Sequence, residues 1–243
     1  MKLKSFGCSF IHGSELRDEL LHDRSKQQPP RHSKLTWPAL LAQKLNYLYR
    51  CHARPGSGNL QIADRVLRQL ATNEQALFII NWSFIDRFDY VSIDDPDNWD
   101  VKNHYNNPDI YPGMPWSTIG PGDDTNNAKN YYRELHSEIR DKLTTLMSIK
   151  LVIDTLQQKN CPFIMTYEDG LMFDQQWHTT PSIIALQEYI MPHITTFNGD
   201  TFVQFAKKNG YPITSIGHPL EEAHAAAGEL MIKVFDTQNT NDH

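Results

Sequence analysis

Apolar positions along the chain switch between two periods, close to 3.6 for helices and 2 or unbroken for strands. Residues 2–6 (KLKSF) are a short candidate strand. The stretch Thr36 to Tyr47 (TWPALLAQKLNY) reads as a helix, with Thr36 as N-cap and Pro38 in the first turn, where a missing N–H is harmless. An aromatic run over residues 47–53, a turn (RPGSGN) and an amphipathic helix follow; Leu60, Ala63, Val66, Leu67 and Leu70 share one face of that helix. Residues 76–84 (ALFIINWSF) are apolar almost throughout, as expected of a strand covered on both faces of a parallel sheet.

Residues 86–130 break the pattern. They are rich in Asp, Asn, Pro and Gly, yet Trp99, Tyr105, Tyr111 and Trp116 are too apolar for a solvated coil, which predicts an ordered insertion over one face of the sheet. Alternation then resumes: a helix over 131–159, a strand over 162–167, a helix over 182–189, a strand near 193–197 and a last helix over 219–235. Five candidate strands alternating with helices predict a three-layer α/β/α sandwich around a mainly parallel sheet, formed by the whole chain, 1–243, as one domain. In such folds ligands bind beyond the carboxyl ends of the strands, so those residues deserve the closest reading.

Composition narrows the function. With 40% hydrophobic and 21% charged residues the chain reads as an ordinary globular protein. A net charge of -6, with 23 Lys and Arg spread along the sequence, argues against a nucleic-acid partner. The apolar runs fall far short of the roughly 20 residues that span a bilayer, so no membrane partner is expected. No apolar signal segment follows Lys2 and Lys4, and Cys8, Cys51 and Cys161 form neither a disulfide framework nor a zinc set. The expected place of synthesis is a reducing cytoplasm. The 11 histidines show no His-x-x-x-His spacing, and Asp94 to Asp100 (DDPDNWD) lacks the glycine and final glutamate of an EF-hand loop, so no metal is expected.

Four strand-end segments carry candidate chemistry: Gly7 to Phe10 (GCSF), Pro55 to Asn59 (PGSGN), Asn81 to Ser83 (NWS) and Gly217 to His224 (GHPLEEAH). A serine hydroxyl attacks a carbonyl only when a base takes its proton, and His218 is the histidine best placed by topology to serve Ser9. Backbone N–H groups at Gly56 and Ser9 are natural donors to an oxyanion, with the Ser83 hydroxyl as a third. Arg87 is a candidate contact for an anionic substrate group, or the partner of Asp86 or Asp89, and Asn59 is a candidate helix cap or substrate contact.

The order and spacing of these segments resemble the SGNH hydrolases, the GDSL-like esterases and lipases. The resemblance implies that Ser9 is the nucleophile, with Cys8 where the family usually has aspartate, that Gly56 is the second-block glycine, and that Ser83 stands in the place of the third-block asparagine. It implies His218 as catalytic histidine, but Ser215 occupies the position of the family's aspartate three residues earlier. Ser215, Glu222 and Asp169 are therefore the candidates to orient His218. The implied activity is hydrolysis of a small acyl ester, such as an O-acetyl group on a carbohydrate, without cofactor. The rival is a non-catalytic binding or structural protein on the same scaffold. The blocks also resemble SGNH-like proteins of bacteriophages, which would place the chain in host cytoplasm or virion. A nucleotide-binding protein is disfavoured, because no glycine-rich phosphate loop follows the first strand.

Overall fold

The computed structural model describes residues 1–20, 32–91 and 116–240. Its centre is a parallel sheet in the order β2-β1-β3-β6, built from β1 (Lys2–Phe6), β2 (Leu48–Cys51), β3 (Ala76–Trp82) and β6 (Phe163–Tyr167). Beyond β6 the fifth expected strand is reduced to a parallel bridge between Met165 and Ile194, where Thr195 N–H donates to the Met165 carbonyl over 2.7 Å. The α/β/α architecture read from the sequence is thus present, with a short outer member.

The sheet owes its two covered faces to side-chain alternation along buried strands. Phe78, Ile80 and Trp82 of β3, with Phe6 and Met165, pack on one face against Ile62, Val66 and Leu70 of α4 (Asn59–Ala71) and Leu146, Ile149 and Ile153 of α6 (Glu138–Gln158). α7 (Pro181–Ile190) completes that layer through Ile183 and Ile190. Leu77 and Ile79, with Leu3 and Ile164, face the other way. They meet Ile11 of α1 (Ser9–His12), Trp37 and Leu41 of α3 (Trp37–Lys44), Phe202 of α8 (Phe202–Lys208) and Ala223 and Ala227 of α9 (Glu221–Thr240). A four-residue helix, α2 (Arg17–Leu20), follows α1.

Two local readings change. The helix expected over 131–159 is two helices, α5 (Asn126–Glu134) and α6. Leu135 and His136 N–H both close on the Tyr131 carbonyl, and the Ser137 side chain caps α6 by accepting from Arg140 N–H. Thr36 sits at the N-cap of α3 without a side-chain capping bond; Trp37 N–H is instead received by His224 Nδ1, 3.1 Å away on α9. His224 is buried, and burial pushes its pKa down to about 3, so it caps as a neutral acceptor.

The insertion contributes an antiparallel pair, β4 (Phe88–Val91) and β5 (Trp116–Ile119), that the unperiodic sequence did not disclose. With α5 it forms its own small core of Ile119, Ala128 and Tyr131, the Phe88 and Tyr131 rings stacking at 4.1 Å. Trp99, Tyr105, Tyr111 and the segment Asp94 to Asp100 lie outside the described residues. Among the described residues, no helix is long and apolar enough to cross a membrane.

Candidate active site

Strand register brings the candidate segments together. Phe6 pairs with Ile80 and Ser5 with Cys51, so the chain segments leading to Ser9, Gly56 and Ser83 leave the same edge side by side. Arg54 N–H donates to the Gly7 carbonyl over 3.1 Å and extends the β1–β2 contact past the strands. Ser9 then opens α1, whose last turn closes when Gly13 N–H returns to the Ser9 carbonyl over 2.8 Å.

His218 arrives from the opposite end of the sequence on a tight loop. Ile213 bridges Pro219, Thr214 N–H donates to the His218 carbonyl, and His218 N–H donates to Thr214 Oγ1 over 3.1 Å. The loop delivers the imidazole so that Nε2 lies 2.9 Å from Ser9 Oγ. On the other side of the ring Nδ1 lies 2.7 Å from Glu15 Oε2, which also accepts the Thr214 hydroxyl over 2.8 Å. The Phe10 ring meets the imidazole edge-on at 5.2 Å.

Hydroxyl, imidazole and carboxylate therefore form one unbroken hydrogen-bonded line. Sequence reasoning missed the carboxylate. Glu15 sits six residues after Ser9, just past α1, and holds a left-handed φ of 69° that few non-glycine residues adopt. The three groups proposed to orient His218 lie elsewhere: Ser215 and Glu222 are exposed, and Asp169 is committed to Ile85 N–H and Leu171 N–H, both at 2.9 Å.

At the other side of the site, Gly56 adopts a φ of 78° with open space where a side chain would point, so its turn requires glycine for conformation and not for lack of room. Room is the constraint at Gly58, where a Cβ would come within 2.5 Å of the Asp89 carboxylate. Asp89, reaching from β4, accepts Gly58 N–H at 3.1 Å and Gln61 N–H at 2.9 Å, capping α4 from outside. Burial raises its pKa against the lowering effect of these bonds.

Ser83 is fully buried at the end of β3, and its Oγ accepts from Arg87 Nη1 at 2.8 Å. The two residues proposed to touch substrate have other partners. Asn59 is buried and uses both ends of its amide on the chain: Oδ1 accepts Ser83 N–H at 2.7 Å, and Nδ2 donates to the Ser83 and Phe84 carbonyls and to Thr145. Arg87 donates from Nη1 to the Ser57 carbonyl at 3.0 Å as well as to Ser83, and its guanidinium lies over the Phe84 ring.

No protein-family profile matches the chain, and no curated protein does either. Solved structures do. The psychrotrophic esterase EstA from Pseudoalteromonas sp., in a structure inhibited by monoethylphosphonate, superposes with a TM-score of 0.50 at 10% identity, covering 99% of this chain and 100% of its own. The chain has the SGNH hydrolase fold. A lipolytic protein of the G-D-S-L family from Veillonella parvula DSM 2008 is similar at a TM-score of 0.49 and 12% identity, over 97% of this chain and 98% of that one. An acetyl xylan esterase, Est2A, from Butyrivibrio proteoclasticus gives 0.49 and 12%, over 98% of this chain and 64% of its own. Such identities speak for the fold and leave the chemistry to the residues in place.

Beside Gly56, the SGNH fold here carries a cleft of about 380 Å³ lined by Arg54, Gln61, Tyr90, Trp116, Thr118 and Asn127 among others. It lies between the second-block turn and the β4–β5 pair. Trp116 is fixed by donating Nε1–H to Asp64 over 2.8 Å. Among the described residues no three His, Cys, Asp or Glu side chains are placed to hold a metal ion.

Proposed function

We propose that this chain is a serine esterase of SGNH type that hydrolyses a small acyl ester through Ser9, His218 and Glu15. The observation that carries the reading is the Ser9 Oγ to His218 Nε2 contact of 2.9 Å, continued by the His218 Nδ1 to Glu15 contact of 2.7 Å. His218 Nε2 takes the hydroxyl proton as Ser9 Oγ bonds to the ester carbonyl carbon. The resulting oxyanion meets the N–H groups of Ser9 and Gly56, whereas the Ser83 hydroxyl is fully buried against Arg87 and is left out of this role. The imidazolium then passes its proton to the departing alkoxide, which leaves as the alcohol. Water attacks the acyl-serine, again giving a proton to His218, and the carboxylic acid is released as Ser9 recovers its hydrogen.

Glu15 is the orienting carboxylate. Accepting Nδ1–H fixes the tautomer that leaves Nε2 free as a base, and its negative charge favours the imidazolium intermediate. The Thr214 hydroxyl on the same oxygen holds the carboxylate in place. For the alcohol side of the ester we propose a carbohydrate, since the cleft beside Gly56 combines Tyr90 and Trp116 with the polar ends of Gln61 and Asn127.

The test is covalent labelling by a fluorophosphonate together with turnover of p-nitrophenyl acetate. Wild type should label and turn over, and Ser9→Ala and His218→Ala should do neither. A wild type that behaves like Ser9→Ala removes the esterase reading in favour of a binding role for the same cleft.

A further inference from the structure

The cleft beside Gly56 contains a buried amide that the protein itself leaves unused. Gln61, in the first turn of α4, lines the cleft and is only 2% exposed. Its backbone N–H goes to Asp89 at 2.9 Å, but among the described residues no group pairs with its carboxamide. Buried polar side chains are rarely kept without a partner, because the desolvation of donor and acceptor is then uncompensated. We propose that Gln61 is the specificity-determining residue of this cleft, its carboxamide bridging two adjacent hydroxyls of a neutral pyranose on the alcohol side of the ester; the proposal rests on the esterase reading.

The polar side chains around Gln61 have duties within the chain. Thr118 donates to Asp89, Asp123 accepts Gly120 N–H at 2.7 Å, Thr125 accepts Ala128 N–H at 3.2 Å, and Asn127 donates to the Tyr90 hydroxyl at 3.4 Å. Trp116 spends its N–H on Asp64, which Arg68 holds in turn at 2.9 Å. What the indole adds to the cleft is therefore carbon surface. One cation, Arg54, and one anion, Asp123, line the same space, which suits an uncharged ligand better than an acid or a phosphate.

A carboxamide presents N–H and carbonyl oxygen side by side, so it can donate to one hydroxyl while accepting from the next. Adjacent ring hydroxyls match that pair, and the C–H face of a pyranose suits the aromatic surface of Trp116 and Tyr90. A simple alkyl alcohol would offer the amide nothing to bridge. The cleft is also tied to the reacting end of the site. Arg54 N–H donates to the Gly7 carbonyl at 3.1 Å, two residues before Ser9, and Asp89 fixes Gly58 N–H together with Gln61 N–H.

The experiment compares wild type, Gln61→Leu and Gln61→Met on mono-O-acetylated methyl pyranosides of glucose, galactose and xylose. Each is paired with the deoxy counterpart in which two adjacent free hydroxyls are replaced by hydrogen. The readout is the ratio of kcat/KM between the two members of a pair, so that any general loss of turnover cancels. For at least one sugar, wild type should prefer the hydroxylated ester by about 10- to 100-fold, since its deoxy partner leaves the amide unpaired. Gln61→Leu should bring that ratio to within about threefold of one. Its thermal midpoint should equal or exceed that of wild type, because an amide without a protein partner adds no stability.

A wild-type ratio near one for every pair would overturn the proposal, as would a preference that survives in Gln61→Leu. A lowered midpoint with equal losses on both members of a pair would make Gln61 a structural residue and overturn it too. If Gln61→Leu fails to fold, Gln61→Met, closer in shape, carries the same comparison. A wild type that neither labels with fluorophosphonate nor turns over p-nitrophenyl acetate removes the esterase reading and this proposal together. An active wild type indifferent to the hydroxyls removes only the latter.

Discussion

The two arms of the site are built on opposite plans. The arm of Ser9, His218 and Glu15 joins residues more than 200 positions apart through single contacts, and its carboxylate is about one-third exposed. The arm of Gly56 and Ser83 is cross-braced, with only the tip of its turn at Gly56 exposed: Asn59, Arg87 and Asp89 each make two or more hydrogen bonds into the same turn and strand end. In the first arm each side chain has one chemical duty and little structural weight. In the second, the groups that would face an oxyanion are held by others that never need to touch it. Substitutions in the first arm should therefore be felt in rate, and substitutions in the second in stability as well.

The hardest test of that division is the removal of Ser9 or His218, which should lower kcat by about 10⁴ or more while leaving the thermal midpoint within a few degrees. Glu15→Gln keeps shape but loses charge and the correct tautomer. By the precedent of the serine-protease aspartate, kcat should fall by about 10² to 10⁴, whereas Ser215→Ala and Glu222→Gln should match wild type in the same assay. A large loss at Ser215 or Glu222 would return the orienting role to the last block.

In the braced arm, Asn59→Ala leaves buried Ser83 N–H and two carbonyls without their partner. A loss of about 2–4 kcal/mol in denaturant unfolding is expected, and an unchanged midpoint would show that the bracing is redundant. Gly58→Ala puts a methyl against Asp89, at an expected cost of about 1–3 kcal/mol in the same measurement.

Two buried titratable groups give effects that show only as a dependence on pH, and they have opposite signs. Burial raises Glu168, which accepts from Asn81 Nδ2 at 2.9 Å, to about 8. The fold favours its protonated form, so its contribution is complete below about pH 4.5 and is lost as pH rises towards 8. His224, pushed down to about 3, is favoured neutral; its contribution is complete above about pH 6.5 and is lost as pH falls towards 3. Glu168→Gln should flatten the stability decline between pH 5 and 8, and His224→Gln the decline between pH 6 and 4. Unfolding midpoints that keep the wild-type slopes would assign those declines to other groups.

Much of this was legible because it is local. Strand periodicity, the fully apolar run of β3 and the glycine turn after β2 are each written in a few consecutive residues, so the order of strand ends could be expected from sequence, while the pairing of Ser9 with His218 was expected from topology and the resemblance. The resemblance suggested where to look, and it directed attention to Ser215 because the family keeps its acid there. Glu15 has no such local mark. A glutamate in a loop is common, and only the closing of the 212–220 loop against the turn after α1 places this one at Nδ1.

Arg87 and Asp89 share that character, as did the β4–β5 pair, whose aromatic and polar residues have no period until they pack on α5. The break at 135–137 was written in Ser137, but a long amphipathic pattern hid it. What the sequence by itself determined was the sheet and its covering helices, because these depend on burial periodicity and short-range turns. What only the tertiary structure decided was which carboxylate holds the histidine and which cation holds the serine of the third block. Electrostatic partners are chosen by distance in space, and a charged side chain carries no record of its partner in its neighbours along the chain.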